Sequence, residues 1–227
     1  MIGVTENLRD IRDLLAFSAA EAERTPDAVK LLAVSKKQPI EKIFAAIDAG
    51  QQDFGENFVQ EGLAKIDQTR DKDVVWHFIG HLQNNKTRVV AENFDWVHTI
   101  DRLKTARRLS QQRPESLGPL NICLQINVDD EDGKSGVVID ALPELAAACV
   151  DLPNLVLRGL MCLPAVRTEF NEQRKPFSKL RELAQNLRAG GIDTDTLSMG
   201  MTADYRAAII EGATIVRIGT ALFGRRD

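Results

Sequence analysis

Short runs of consecutive apolar residues alternate along this chain with stretches whose apolar positions recur every three or four residues. The first run, residues 31–35 of LLAVSKKQP, is followed by Ile40, Ile43, Phe44 and Ile47 at helical spacing, closed by Gly50. A continuous apolar run ahead of a helical pattern reads as a buried parallel strand feeding a helix. The proline fits a first turn and the glycine a C-terminal cap. Before it, Ile2, Leu8, Ile11, Leu14 and Leu15 predict a helix within residues 2–24.

The alternation continues. Residues 52–54 predict a second strand, followed by Gly55-Glu56-Asn57 and a helix through Val59, Leu63 and Ile66. The β-branched and aromatic run 74–80 predicts a third strand, and the loop HLQNNK leads into a helix over 87–92. Strand four falls at 96–100, with Asp101 placed to cap the helix through Leu103, Ala106 and Leu109. Strand five is 121–128, followed by the loop DDEDGKSG and a helix over 142–150 with Pro143 in its first turn. Strand six is 156–163, and a helix of about twenty residues then ends at Gly190-Gly191. Strand seven is 196–199, Thr202 and Asp204 stand where the next helix is capped, and strand eight is 214–219.

Eight βα units without an intervening linker predict an α/β fold, a (β/α)8 TIM barrel with an additional N-terminal helix, spanning 1–227 as a single domain. An open doubly wound sheet is the alternative, and no Gly-x-Gly-x-x-Gly turn follows strand one to favour it.

Composition narrows the function. With 227 residues, 44% of them hydrophobic and 27% charged, the chain is of ordinary globular type, and a net charge of −4 offers no footprint for nucleic acid. No apolar run approaches the ~20 residues of a membrane span, and the amphipathic, charged N-terminus does not read as a signal peptide, so the cytoplasm is expected. Cys123, Cys149 and Cys162 are scattered, as reduced core thiols are, and with three histidines in all a zinc centre is not expected.

The chemistry gathers at strand ends. Leu32, Val34 and Lys36 share one side of strand one by the alternation of strand side chains. A lysine at the C-terminal edge of a barrel strand, in a partly dry cavity, loses its charge more readily and attacks carbonyls to form a Schiff base; a solvated strand end is the plainer reading. Strands seven and eight end in Ser198-Met199-Gly200-Met201 and Arg217-Ile218-Gly219-Thr220. Hydroxyls and glycines after these two strands are where barrels build phosphate sites, although tight turns use the same residues. In a closed barrel a cradle built on these two strands is adjacent to the lysine of strand one. An aldehyde at one end and a phosphate at the other describe pyridoxal 5′-phosphate (PLP).

The segments LLAVSKKQP, DFGENFVQE, WHFIGHLQNNK, GKSG, RGLMCLP, LSMGMTADY and VRIGTALFG together resemble the pyridoxal phosphate homeostasis protein family, over nearly the whole chain. That resemblance implies a PLP fold type III barrel, like the barrel domain of alanine racemase without its C-terminal β domain. It implies a PLP-binding carrier or regulator in intracellular homeostasis with little or no turnover, PLP-dependent apoenzymes as recipients, and a monomer. It assigns Lys36 to the Schiff base. Ser198, Gly219 and Thr220, with the Met199 backbone amide, fall to the phosphate, Arg217 to the pyridine nitrogen, and Asn57 and Met161 to the ring. His77 points to the same cavity or to the core, with the cavity preferred. Lys134 is left outside the primary site, and His81 has no derived role. A PLP-dependent amino-acid racemase is the alternative, but its second acid/base is missing: the single tyrosine, Tyr205, sits in the first turn of a helix. A Schiff-base aldolase on a sugar phosphate is a third reading.

Overall fold

The computed structural model describes residues 3–131 and 133–224. Ile2, at the head of the first helical spacing, and Asp132, in the acidic loop, lie outside the described residues. Helix α1 (Val4–Glu21) precedes strand β1 (Lys30–Val34) and helix α2 (Ile40–Asp48). Then come β2 (Asp53–Glu56), α3 (Val59–Gln68), β3 (Val75–Phe78), α4 (Thr87–Asn93), β4 (Trp96–Ile100) and α5 (Leu103–Gln112). The second half holds β5 (Leu120–Ile126), α6 (Leu142–Val150), β6 (Leu155–Cys162), α7 (Phe170–Ala189), β7 (Thr196–Met201), α8 (Tyr205–Ile210), β8 (Ile215–Ile218) and α9 (Thr220–Phe223).

All strands pair in parallel in sequence order, and β1 closes on β8 through Lys30↔Ile215 to Ala33↔Ile218. The result is a closed (β/α)8 barrel. Each strand sends alternate side chains to opposite faces. Leu31, Ala33, Phe54 and Phe78 face outward into the apolar layer under the helices, whereas Leu32, Val34, Ile79 and Ile215 form a separate cluster inside the barrel. Each fully buried Leu, Ile or Phe contributes about 1.5–3 kcal/mol, so this outer layer carries most of the stabilisation. Helices α2 to α8 each follow one strand. The place after β8 goes to the one-turn α9 together with α1, which packs against α2, α8 and α9. The additional N-terminal helix therefore completes the outer ring.

Two local expectations are corrected. Asp101 does not cap α5: the N-cap is Arg102, and Asp101 Oδ1 instead accepts from Arg102 Nε at 3.1 Å. Strand β7 runs two residues past Met199 through an irregularity at Gly200, where pairing with β8 shifts register; the φ of +90° is open to glycine at little strain, and a Cβ there would stand 2.6 Å from the Ala208 Cβ. Thr202 consequently belongs to the loop at the strand end and makes no side-chain cap on α8, while Asp204 Oδ1 accepts the Met201 N–H at 2.6 Å.

Candidate functional site

At the C-terminal mouth of the barrel, β1 ends at Val34 and the chain turns sharply. Ser35 N–H donates to the Gly55 carbonyl at 3.0 Å, Gln38 N–H donates to the Ser35 carbonyl at 3.0 Å, and Lys37 adopts a φ of +58°. A buried ionic cluster behind the sheet grips this turn. Lys65 Nζ, on α3, donates to the Ser35 carbonyl at 2.7 Å, to Glu56 Oε1 at 2.6 Å and to Glu61 Oε1 at 2.6 Å. Ser35 Oγ donates to the same Glu56 oxygen at 2.6 Å, and the Lys37 backbone N–H donates to Glu61. Burial holds the Glu56 carboxyl above the usual range, against the pull of Lys65 and Ser35. Lys36 thus stands on a turn fixed on both sides.

Lys36 borders a cavity of about 300 Å³ whose wall includes Val34, Asn57, Ile79, Met161, Arg217, Gly219 and Thr220. Six residues singled out in the sequence therefore meet here: Lys36, Asn57, Met161, Arg217, Gly219 and Thr220. Leu163, Met201, Thr202 and Ala203 complete the wall.

Three others stand elsewhere. Met199 is fully buried in the layer beneath the helices, so only its backbone is at hand. Ser198 is fully buried below the cavity, and its hydroxyl is engaged by His98 and Arg217. His77, for which the cavity was preferred, lies in the barrel interior between Asp53 and His98. The hydroxyl that does reach the cavity from the β7 end is Thr202. It was missed because strand seven was ended at Met199. Simple strand alternation could not have found it, since the strand is irregular at Gly200, where the pairing of β7 with β8 shifts register between Ser198 and Met201.

Arg217 forms the floor. Its NH1 donates to the Ser198 carbonyl at 2.6 Å and to Ser198 Oγ at 2.8 Å, and its NH2 donates to the Cys162 carbonyl at 2.8 Å. Three of the five N–H donors of a guanidinium are so committed, and the side chain also borders the cavity. Burial lowers its pKa from the ordinary arginine value, and Cys162, Asp204 and Cys123 oppose that shift. All three of these acceptors are neutral oxygens. From Ser198 the polar contacts continue inward: His98 Nδ1 lies 2.8 Å from Ser198 Oγ, His98 Nε2 lies 2.9 Å from His77 Nδ1, and His77 Nε2 lies 2.9 Å from Asp53 Oδ1. Lys30 Nζ donates to that same oxygen at 2.9 Å from the opposite end of the barrel.

Other candidates fall away from the mouth chemistry. Cys123, Cys149 and Cys162 are buried free thiols, the second and third pushed up to about 11 and about 12 by desolvation. Among the described residues no cluster of ligands suited to a metal occurs. Lys134 pairs with Glu131 at 2.5 Å on the loop after β5. Tyr205 opens α8, partly buried against the core.

Comparison with known proteins adds to this geometry. The family described as alanine racemase, N-terminal domain, matches residues 10–227. A pyridoxal phosphate homeostasis protein of Pseudomonas aeruginosa is 52% identical over 227 residues, covering 100% of this chain and 97% of the relative. One from Escherichia coli strain K12 is 50% identical over 230 residues, covering 100% and 98%. This chain belongs to the pyridoxal phosphate homeostasis protein family. Among solved structures, PipY of Synechococcus elongatus PCC7942 with PLP bound superposes with a TM-score of 0.85 at 35% identity, over 97% of this chain and 100% of that one. Alanine racemase of Corynebacterium glutamicum shares the fold at a TM-score of 0.73 and 16% identity, over 98% of this chain and 61% of that one. Of the segments that carried the homeostasis-family resemblance, all but GKSG supply a wall of the cavity: Val34 and Lys36, Asn57, Ile79, Met161 and Leu163, Met201 to Ala203, and Arg217, Gly219 and Thr220.

Proposed function

We propose that this protein binds pyridoxal 5′-phosphate through a Schiff base to Lys36 and serves intracellular PLP homeostasis as a carrier or regulator with little or no turnover. The observation that carries the reading is the meeting of Lys36, Arg217 and the Gly219–Thr220 turn around one cavity. Bound PLP supplies an aldehyde that a lysine captures and a pyridine ring that withdraws electrons. The residues present suit it. A Cβ at Gly219 would stand 3.0 Å from the Val34 carbonyl oxygen, so the glycine keeps the backbone close to β1 and the cradle open. Thr220 and Thr202 offer hydroxyls, and the first turn of α9 offers backbone N–H groups, to the phosphate. Met161, Ile79 and Asn57 line the space for the ring.

Arg217 governs what such a site does. An arginine donates and never accepts, so it favours an unprotonated ring nitrogen and repels a pyridinium. The ring is then a weak electron sink, which suits holding the aldehyde over reworking amino acids. Apart from Lys36 and Arg217, none of the described residues lining the cavity carries a titrating side chain, and a racemase needs a second acid/base on the opposite face. The names of the relatives and the PLP in PipY support the same reading. We further infer a single-domain, cytoplasmic monomer that hands PLP to apoenzymes.

The test is the visible spectrum of the purified protein with added PLP, beside Lys36→Ala, followed by borohydride reduction and peptide mass mapping. A yellow band that reduction fixes on Lys36 is expected. A protein that stays colourless in excess PLP overturns the cofactor and returns the sugar-phosphate aldolase, and steady interconversion of alanine enantiomers overturns the carrier role.

A further inference from the structure

The interior of a barrel of this type is ordinarily filled by Val, Ile and Leu. Here four strands send Asp53, His77, His98 and Ser198 inward instead, all buried, and Arg217 on β8 ends the row at the cavity. The direction of every hydrogen bond in the row is forced by its ends. Arg217 only donates, so Ser198 Oγ accepts from it; an ionised carboxylate only accepts, so His77 Nε2–H donates to Asp53. The Asp53 pKa is lowered by His77 and Lys30, outweighing desolvation, which keeps it ionised. Between these ends each neutral imidazole has one N–H and one bare nitrogen. His77 Nδ1 therefore accepts from His98 Nε2–H, and His98 Nδ1 accepts from Ser198 Oγ–H. Burial lowers the pKa of both rings, in keeping with the neutral state. The dipoles all align, negative end toward the guanidinium, and such chains polarise one another in a low-dielectric interior.

We propose that His98, His77 and Asp53 are positioning residues that act through Ser198 to fix the orientation of Arg217 and to moderate the positive charge it presents to the cavity. The proposal rests on the reading that PLP occupies that cavity. The chain leaves Ser198 no hydroxyl proton for a phosphate: its one O–H is directed at His98. It also gives Arg217 a partner of opposite charge at a distance, Asp53, where no carboxylate among its hydrogen-bond partners does so directly. The charged and titratable groups facing the row are Lys30 and Asp95 near His77, and Cys123, Cys162 and Asp204 near Arg217, with Lys36 on the same cavity.

Cutting the row removes the aligned dipoles and makes Arg217 more strongly positive toward bound PLP. A protonated imine in the same cavity then loses its proton at lower pH. The chain has three histidines, so long-range ¹H–¹⁵N spectra resolve each ring. In the wild-type protein without PLP, His77 and His98 are expected as neutral Nε2–H tautomers that do not titrate between about pH 6 and 8. An Nδ1–H tautomer or a charged ring in either overturns the forced direction. The second measurement is the pH midpoint of the visible band, read on the bound fraction, in wild type, Ser198→Ala and His98→Gln. A shift to lower pH of at least about half a unit in both variants is expected, and the same midpoint in all three overturns the role of the row. If the variants fail to fold, the wild-type tautomers decide. A wild-type protein that gives no band with PLP defeats the PLP reading instead, which the tautomer result distinguishes.

Discussion

Two buried polar assemblies flank the cavity, and they are built on opposite principles. Behind β1 and β2, Lys65, Glu56 and Glu61 form a compact ionic cluster that grips the turn carrying Lys36. Inside the barrel, the neutral groups His77, His98 and Ser198 form a line that runs from the Asp53 carboxylate to Arg217. The cluster holds its target by charge, in contacts all within 2.7 Å, and places a backbone carbonyl. The line holds its target by direction, since each donor has one acceptor. One therefore fixes where the lysine stands; the other fixes how the arginine is turned and how much charge it shows.

The comparison breaks most visibly at Lys65. Lys65→Met leaves Glu56 buried without its cation and Ser35 without a grip on its carbonyl, and removing one partner of a buried pair costs about 3–5 kcal/mol. Urea denaturation should show that loss, and Lys65→Met combined with Glu56→Gln should recover part of it. A loss below about 1 kcal/mol would mean the cluster is solvated and does not hold the turn.

The next effect separates the two hydroxyls at the β7 end. Thr202 borders the cavity and Ser198 belongs to the line. A hydrogen bond to a charged phosphate contributes about 1.5–3 kcal/mol, so Thr202→Val should weaken PLP binding about 10- to 100-fold in a fluorescence titration. An unchanged Kd would remove Thr202 from the phosphate cradle.

Asp53→Asn comes next. An asparagine donates as well as accepts, so the line loses its forced direction while its volume is kept. A stability loss of about 1–3 kcal/mol is expected, together with mixed tautomers at His77. A single unchanged tautomer would show that another group, rather than the carboxylate, sets the direction.

How legible was this in the sequence? The barrel was, because its signal is local: apolar runs of strand length alternate with helical periods, and one face of β1 led directly to Lys36. Arg217, Gly219 and Thr220 followed because strand eight ended where its pattern ended. Thr202 was obscured by the irregularity at Gly200, past which β7 continues. The interior line was obscured for a different reason. His98 and Ser198 are 100 residues apart, and only closure of the barrel brings them together. The available signal was the substitution of Asp53, His77, His98 and Ser198 at inward positions of four strands where branched apolar residues are the rule. His77 was read alone, and a single histidine on a strand does not say whether it faces a cavity or another histidine.

The smallest effect is a slope, and it has opposite signs in the two assemblies. His77 and His98 have pKa values lowered by burial from 6.5, so the unfolded chain binds protons more readily than the folded one below that pH. Their contribution to stability is fully present above about pH 6.5 and is lost as pH falls below it, by at most about 1.4 kcal/mol per pH unit for each ring. Glu56 is raised from 4.5, so the folded chain binds the extra proton and its contribution falls as pH rises from 4.5 through the folded value. The lowered carboxylates Asp53, Asp129 and Asp195 act below about pH 3.8, outside this window. Asp204 is also raised, from 3.8, so two rings oppose two carboxyls; between pH 6.5 and 5 the histidine line should dominate, because both rings are fully buried, whereas Glu56 keeps Lys65 and Asp204 keeps the Met201 N–H to favour their charged forms. Denaturation midpoints should fall on acidification in the wild type, fall less in His98→Gln, and fall more in Glu56→Gln, where the opposing carboxyl is gone. If His98→Gln left the slope unchanged, the line would not be held neutral in the folded protein, and its directional order would fail with it.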